Sequence, residues 1–341
     1  ACIAMRIAYL DLADSRDFVA AVGALRGAHV PVVTGASSVP ALSGAVAREL
    51  AAGMAQVERV DIAISASNRA VAGPSVATAI LSYVGRPVRL WRGQRWTDAT
   101  GWQSLCRETF ALAGVVPLRR WIALADVPDL SLMPEALPGR PAVTFRAGTE
   151  LGFQMLALWL LSWPVRWGWV RSLRAAAPWL HKLQRLTAWA GSDRSAMSVT
   201  LAGSGVERRW TLIASEGDGP EIPTLAALLL AEDILAGRVP PGARDASELL
   251  ALDRFAPLFS GLAIRTGIEE RTLFPLYARA MGADFTRLPA AVREMHDLVG
   301  DAGATGEAVV RRGKGLAWLI GQVMGFPPSG SHALHVAFAV G

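Results

Sequence analysis

The order of apolar and polar positions along the chain predicts alternating strands and helices. AYLDLAD (Ala8–Asp14) has a buried-strand pattern ending in two acids, and SRDFVAAVGALRG reads as an amphipathic helix stopped at Gly27. HVPVV (His29–Val33) is the next strand and ALSGAVARELAAG (Ala41–Gly53) the next helix. Strand, helix and strand joined by short loops predict a parallel α/β unit. VERVDIAIS (Val57–Ser65) is a further strand, followed by a helix over SVATAILSYVG and a hairpin over PVRLWRGQRWT turning about Gly93. AVTFRAG (Ala142–Gly148) and SAMSVTLAG (Ser195–Gly203) are strands separated by a long helical stretch, and RRWTLIASEG is placed to pair with the second. PTLAALLLAEDILAG (Pro223–Gly237) is a strong helix with a glycine stop, and PPGARDASELLALDRFAPLF is a linker with a short helix. A composition shift at about Ile268 to Phe274 marks an expected boundary. Beyond it come a helix (LYARAMG), a strand (GEAVVRRG), a helix (LAWLIGQVMG) and an alternating strand (HALHVAFAVG). Both ends read as cut from a longer chain.

Composition narrows the class. Hydrophobic residues are 52% and charged residues 18% of 341, which describes a chain that folds around cores and has length for roughly two or three domains. A net charge of +5 permits anionic partners without demanding them. Cys2 and Cys106 are the only cysteines, which excludes a disulfide framework and a thiolate metal site. The five histidines have no ligand spacing, so no metal is expected.

Between the second strand and the second helix lies TGASSVPALSGAV (Thr34–Val46). It is neither the dinucleotide fingerprint G-x-G-x-x-G nor a Walker loop, which needs Gly-Lys-Ser/Thr. Gly35, Ala36, Ser37, Ser38 and Pro40 nevertheless offer N–H groups and small hydroxyls at a strand's C-terminal edge, where open α/β sheets bind ligands. The plainer reading is that Gly35 makes a turn and Ser38 or Ser43 caps a helix.

Asp11 and Asp14 end a strand near that edge. Paired carboxylates can hold an amine or shuttle a proton, whereas Asp14 is equally placed to cap the next helix. Asn68 and Arg69 follow the strand Val57–Ser65 and can contact an anion, or form a solvated turn. Arg146 and Arg194 can each hold a carboxylate bidentately, or serve in structural ion pairs. No lysine or histidine proton donor of the usual dehydrogenase kind is evident, so the catalytic residues stay unassigned.

LGFQMLALWLLSWPVRWGWVRSLRAAAPWLHKLQRLTAWAG (Leu151–Gly191) contains no acid and holds six of the twelve tryptophans, interleaved with Arg166, Arg171, Arg174, Lys182 and Arg185. Its apolar run ends at Arg166 and meets Pro164, short of the roughly 20 residues a spanning helix needs. Tryptophan and arginine beside an apolar face suit a membrane headgroup region. Helices covering a sheet, or packing in a homo-oligomer, give the same pattern. Nucleic acid is not expected, because the basic residues are mixed with aliphatic ones and do not gather on a polar face.

The ordered set YLDLADSRDFV, VVTGASSVPALSGAV, VDIAISASNRAVAGPSVATAILSYVGRPVRLW and WTLIASEGDGPEIPTLAALLLAEDILAGRVPPG resembles the saccharopine dehydrogenase-like oxidoreductases. With TLFPLYARAMGADFTRLPAAVREMHD and RGKGLAWLIGQVMGFPPSG it is more similar to bacterial members that end in a small domain of unknown function. The resemblance covers nearly the whole chain. It implies an α/β fold in which an incomplete Rossmann-like domain (1–56) receives an inserted α+β domain of substrate-binding type (57–222) bearing the Trp/Arg-rich helices. A returning helix and linker (223–267) then rejoin the first domain, and the truncated start of a small α+β C-terminal domain follows (268–341). It further implies a cytoplasmic NAD- or NADP-dependent oxidoreductase acting on a small-molecule substrate, and it places the turn at Gly35 to Pro40 beside the cofactor cleft. No G-x-G-x-x-G occurs in the chain, so the pyrophosphate-binding half is expected ahead of Ala1. The alternative is a non-catalytic module working at a membrane surface or partner through its Trp/Arg helices.

Overall fold

A computed structural model describes residues 1–69, 74–297, 302–311, 315 and 328–338. A short helix α1 (Cys2–Met5) precedes strand β1 (Tyr9–Leu10), helix α2 (Arg16–Gly23) and strand β2 (Pro31–Thr34). β1 and β2 are parallel neighbours, Tyr9 opposite Val32 and Leu10 opposite Val33, as the short strand–helix–strand spacing predicts. β1 is shorter than the run Ala8–Asp14, because the Asp11 carboxylate turns away to bond the loop after β2. That loop leads into α3 (Ser43–Ala51), then β3 (Arg59–Ala66), α4 (Pro74–Tyr83) and the hairpin β4 (Pro87–Arg92) and β5 (Arg95–Thr100).

A second hairpin, β6 (Cys106–Leu112) and β7 (Val115–Leu124), is followed by α5 (Asp129–Ala136), β8 (Ala142–Thr149), α6 (Gly152–Arg166) and α7 (Ala177–Thr187). Then come β9 (Ser195–Gly203), β10 (Val206–Ala214), α8 (Ile222–Leu235), β11 (Gly242–Asp245), α9 (Ala256–Ser260) and β12 (Ile264–Thr272). The chain continues through α10 (Leu276–Met281) and α11 (Ala290–His296) to an antiparallel pair, β13 (Ala302–Val310) and β14 (Gly330–Phe338). The helix expected over LAWLIGQVMG lies outside the described residues.

Two sheets organise the molecule, and the fold is mixed α/β. β1, β2 and β11 form a three-stranded parallel sheet, and β12-β10-β9-β3-β8-β7-β6 form a curled seven-stranded sheet. β11 occupies part of the stretch read as linker: Gly242–Asp245 pairs in parallel with Pro31–Thr34 after the chain returns from the curled sheet. α8 comes back with it and packs on β1 and on the turn at Ser38–Leu42. β12 spans the composition shift, so Ile268 lies mid-strand opposite Trp210 and not between elements. One face of the curled sheet is apolar, with Val60, Ile62, Val143, Phe145, Val199, Leu201, Trp210 and Leu212 buried. α3 and α5 cover it, and alternation along each strand sends the intervening residues to the opposite face.

Candidate functional site

At the turn after β2, Gly35 has φ 78° and its Cβ position would lie 2.8 Å from Pro40 Cδ, so glycine is required there. The Gly35 N–H and the Thr34 hydroxyl each donate to Asp11 Oδ1 at 3.0 Å, and the Ala13 N–H donates to the same oxygen at 2.8 Å. The Ala36 N–H donates to the Asp11 carbonyl at 2.8 Å. The donors that would cradle a phosphate therefore hold the chain's own carboxylate and backbone. Gly35, Ala36, Ser37, Ser38 and Pro40 are all buried. α8 and α3 pack on the turn and its residues join the core, so in this structure its N–H groups serve the fold.

The capping alternatives fail as well. Neither Ser38 nor Ser43 makes a side-chain cap bond, and the Ser43 hydroxyl donates instead to Asp129 Oδ1 at 2.5 Å. Asp14 is exposed, and Ser15, not Asp14, occupies the N-cap of α2.

Asn68, Arg69 and Arg194 meet at a different corner, organised by Glu150. Its carboxylate accepts from the Asn68 N–H at 2.9 Å, the Ser192 N–H at 2.8 Å, the Ser192 hydroxyl at 2.6 Å and Arg120 Nη2 at 2.9 Å. Asn68 is buried; its Nδ2 donates to the Thr187 carbonyl at 2.6 Å and its Oδ1 accepts from Gln154 Nε2 at 3.1 Å. Asn68 thus ties α6 and the end of α7 to the sheet. Arg69 is exposed, and its N–H donates to the Ser192 carbonyl. Arg194 spans to the Val116 carbonyl at 2.8 Å. These three side chains are structural or peripheral and do not converge with Arg146.

Arg146 sits elsewhere, on the polar face of the curled sheet. β3 and β8 run parallel with Asp61 opposite Thr144 and Ala63 opposite Arg146, and β9 and β10 continue the row through Thr200 and Arg209. Arg146 Nη1 lies 3.5 Å from Asp61 Oδ1, and Arg59 Nε lies 2.9 Å from Asp61 Oδ2. Arg59 also reaches Glu207 at 3.2 Å, Arg209 reaches Glu108 at 2.6 Å, and Arg92 Nη2 donates to Thr144 Oγ1 at 3.1 Å. The Arg209–Glu108 pair joins β10 to β6 and curls the sheet into a half-barrel. Its far end is filled by Ala63, Phe110, Leu118, Ile122, Ala196 and Ile213. At the polar end the Arg146 Nε is buried without a hydrogen-bond partner among the described residues. The Cys106 thiol faces this cluster and is pushed up by burial, with Arg146 opposing that rise.

No protein-family model matches the chain, and no curated protein matches it.

The trough holds side chains that motif reading passes over: Arg59, Asp61, Arg92, Glu108, Glu207 and Arg209. A signal for several of them lies in the sequence. Arg59-x-Asp61 places charges at every second position of a strand whose intervening positions are apolar, the pattern of a strand with one wet face, and Glu207-x-Arg209 repeats the spacing although Arg208 stands between them. Such an arrangement can bind an anion through guanidinium groups and an amine through Asp61. It fits the preference of ligands for the mouths of curled sheets.

Proposed function

We propose that this chain forms the body of an NAD(P)-dependent oxidoreductase of saccharopine dehydrogenase-like type, whose half-barrel trough receives a small amino or keto acid. The observation that carries the reading is the closure of the parallel sheet: β11 pairs with β2 only after six of the seven strands of the curled sheet have been traversed, with β12 following as its edge strand, so most of the curled sheet is an insertion into a nucleotide-domain-like unit. In open parallel sheets the cofactor lies at the carboxyl ends of the strands. The ends of β1, β2 and β11 meet at one edge, where the Gly35 N–H donates to Asp11 Oδ1 and the Ala246 N–H donates to the Thr34 carbonyl. In this reading Arg146 binds a substrate carboxylate and Asp61 orients the amine or the guanidinium beside it. No G-x-G-x-x-G fingerprint occurs among the 341 residues.

The test uses the product of the complete gene. It should bind reduced nicotinamide dinucleotide, seen by fluorescence, and transfer hydride in the presence of a small amino or keto acid. Arg146→Ala should raise KM about tenfold or more, the scale of one charge-assisted contact, without changing cofactor affinity. A complete gene product that binds no nicotinamide dinucleotide overturns the reading.

A further inference from the structure

The inner side of α6 packs on the sheet through Gln154, Met155, Leu158, Ser162 and Val165. Its outer side is left open: Phe153, Leu156, Leu160 and Leu161 are exposed along it. Trp159, Trp163, Trp167 and Trp169 contact one another in series, edge-to-face or tilted, with ring centroids 5.8, 5.4 and 4.9 Å apart. The surface continues past the helix through Trp167, 55% exposed, and Trp169, 75% exposed, while Trp179 and Trp189 further along the chain are also exposed. Contiguous apolar patches of this kind are rare on chains that act alone in water.

Charge says what covers the patch. Leu151–Gly191 carries five Arg and Lys residues and no acid. Arg166 lies over the Trp163 ring at 5.3 Å and Lys182 over Trp179 at 5.7 Å, so the cations border the aromatic surface. Beside it a cleft of about 600 Å³ is lined by Arg86, Arg166 and Arg171, with Asp98 as its acid. A second copy docking symmetrically would bring this basic face against itself, which is repulsive. An anionic bilayer supplies both complements, acyl chains for the indoles and leucines and phosphates for the guanidiniums. At 15 residues α6 is too short to cross a membrane, and the geometry open to it at a bilayer is to lie along the surface.

We propose that the outer face of α6, with Trp167, Trp169 and the cleft at Arg86 and Arg171, docks the protein on the surface of an anionic phospholipid bilayer. This is independent of the oxidoreductase reading, because no residue of the half-barrel trough takes part. The full chain is pelleted with vesicles of phosphatidylcholine alone and of phosphatidylcholine with phosphatidylserine. It should co-sediment with the anionic vesicles, shift its tryptophan emission to the blue, and bind about tenfold more weakly at high salt. Trp167→Ala with Trp169→Ala should cut binding about tenfold with an unchanged melting temperature, since neither ring is core. Arg171→Glu with Arg174→Glu, both on the surface, should remove the preference for anionic vesicles. Any of three results overturns the proposal: no vesicle binding by the folded chain, which covers a concentration-dependent dimer or capture of inorganic phosphate in its place; vesicle binding that the tryptophan variant retains; or equal binding to neutral and anionic vesicles.

Discussion

Full burial pushes the Asp129 carboxyl up to about 7, although the Ser43 hydroxyl bonds its charged form. The unfolded chain titrates this group near 3.8, so the folded state holds the proton more tightly. Stability from Asp129 is therefore fully present below about pH 3.8 and is lost as pH rises through about 7. At about 1.4 kcal/mol per tenfold change in proton affinity, the whole loss is roughly 4 kcal/mol. Asp129→Asn should flatten this dependence, so urea unfolding at pH 5 and at pH 8 should differ less in the variant than in the parent. Equal pH slopes in the two proteins would sink the idea. Gly35 is the second residue whose role is local: alanine there meets both the positive φ of 78° and the Pro40 ring. Gly35→Ala should lower the unfolding free energy by about 1–3 kcal/mol, read from the urea midpoint. An unchanged midpoint would mean that the turn relaxes freely.

The helices α6 and α7 are anchored at one end by the Glu150 corner, where Arg120 and Glu150 have side chains 12% and 9% exposed. Removing one partner of such a pair leaves an uncompensated charge, so Glu150→Ala should destabilise the chain by about 3–5 kcal/mol. Hydrogen exchange should quicken first in Gly152–Thr187; uniform loss of protection would count against a local anchor. These residues also show where sequence reading reaches its limit. A polar Asn68 followed by Arg69 after a strand looks like a binding turn, and only the packing of α6 and α7 against it turns Asn68 into a buried tie. Element types fared better. The β4–β5 hairpin and the β9–β10 pair follow from period-two patterns, and α8 from a long apolar run of helix formers closed by Gly237, signals that each element carries within itself. The β6–β7 hairpin mixes charged and apolar residues, β12 is an edge strand exposed along most of its length, and β11 is a four-residue strand among turn formers. Their pairing comes from distant partners and leaves little local trace.

For the whole molecule, the internal use of Gly35 and Ala36 N–H groups has a direct consequence for cofactor binding. The 341-residue chain by itself should bind reduced nicotinamide dinucleotide weakly or not at all, because Asp11 fills the anion cradle. Fluorescence titration checks this, and micromolar affinity would show that other loops suffice. What the sequence by itself determined is the α/β class, the parallel β1–α2–β2 unit, the glycine at the turn and the acid-free Trp/Arg stretch, since each is written in residues close together along the chain. The tertiary structure alone decided that the turn is closed, that Arg146 faces Asp61 and not Arg194, and that α6 leaves an apolar side uncovered. Those outcomes depend on which distant strands pair and how the sheet curls, and a long-range contact has no period in the sequence from which it can be read.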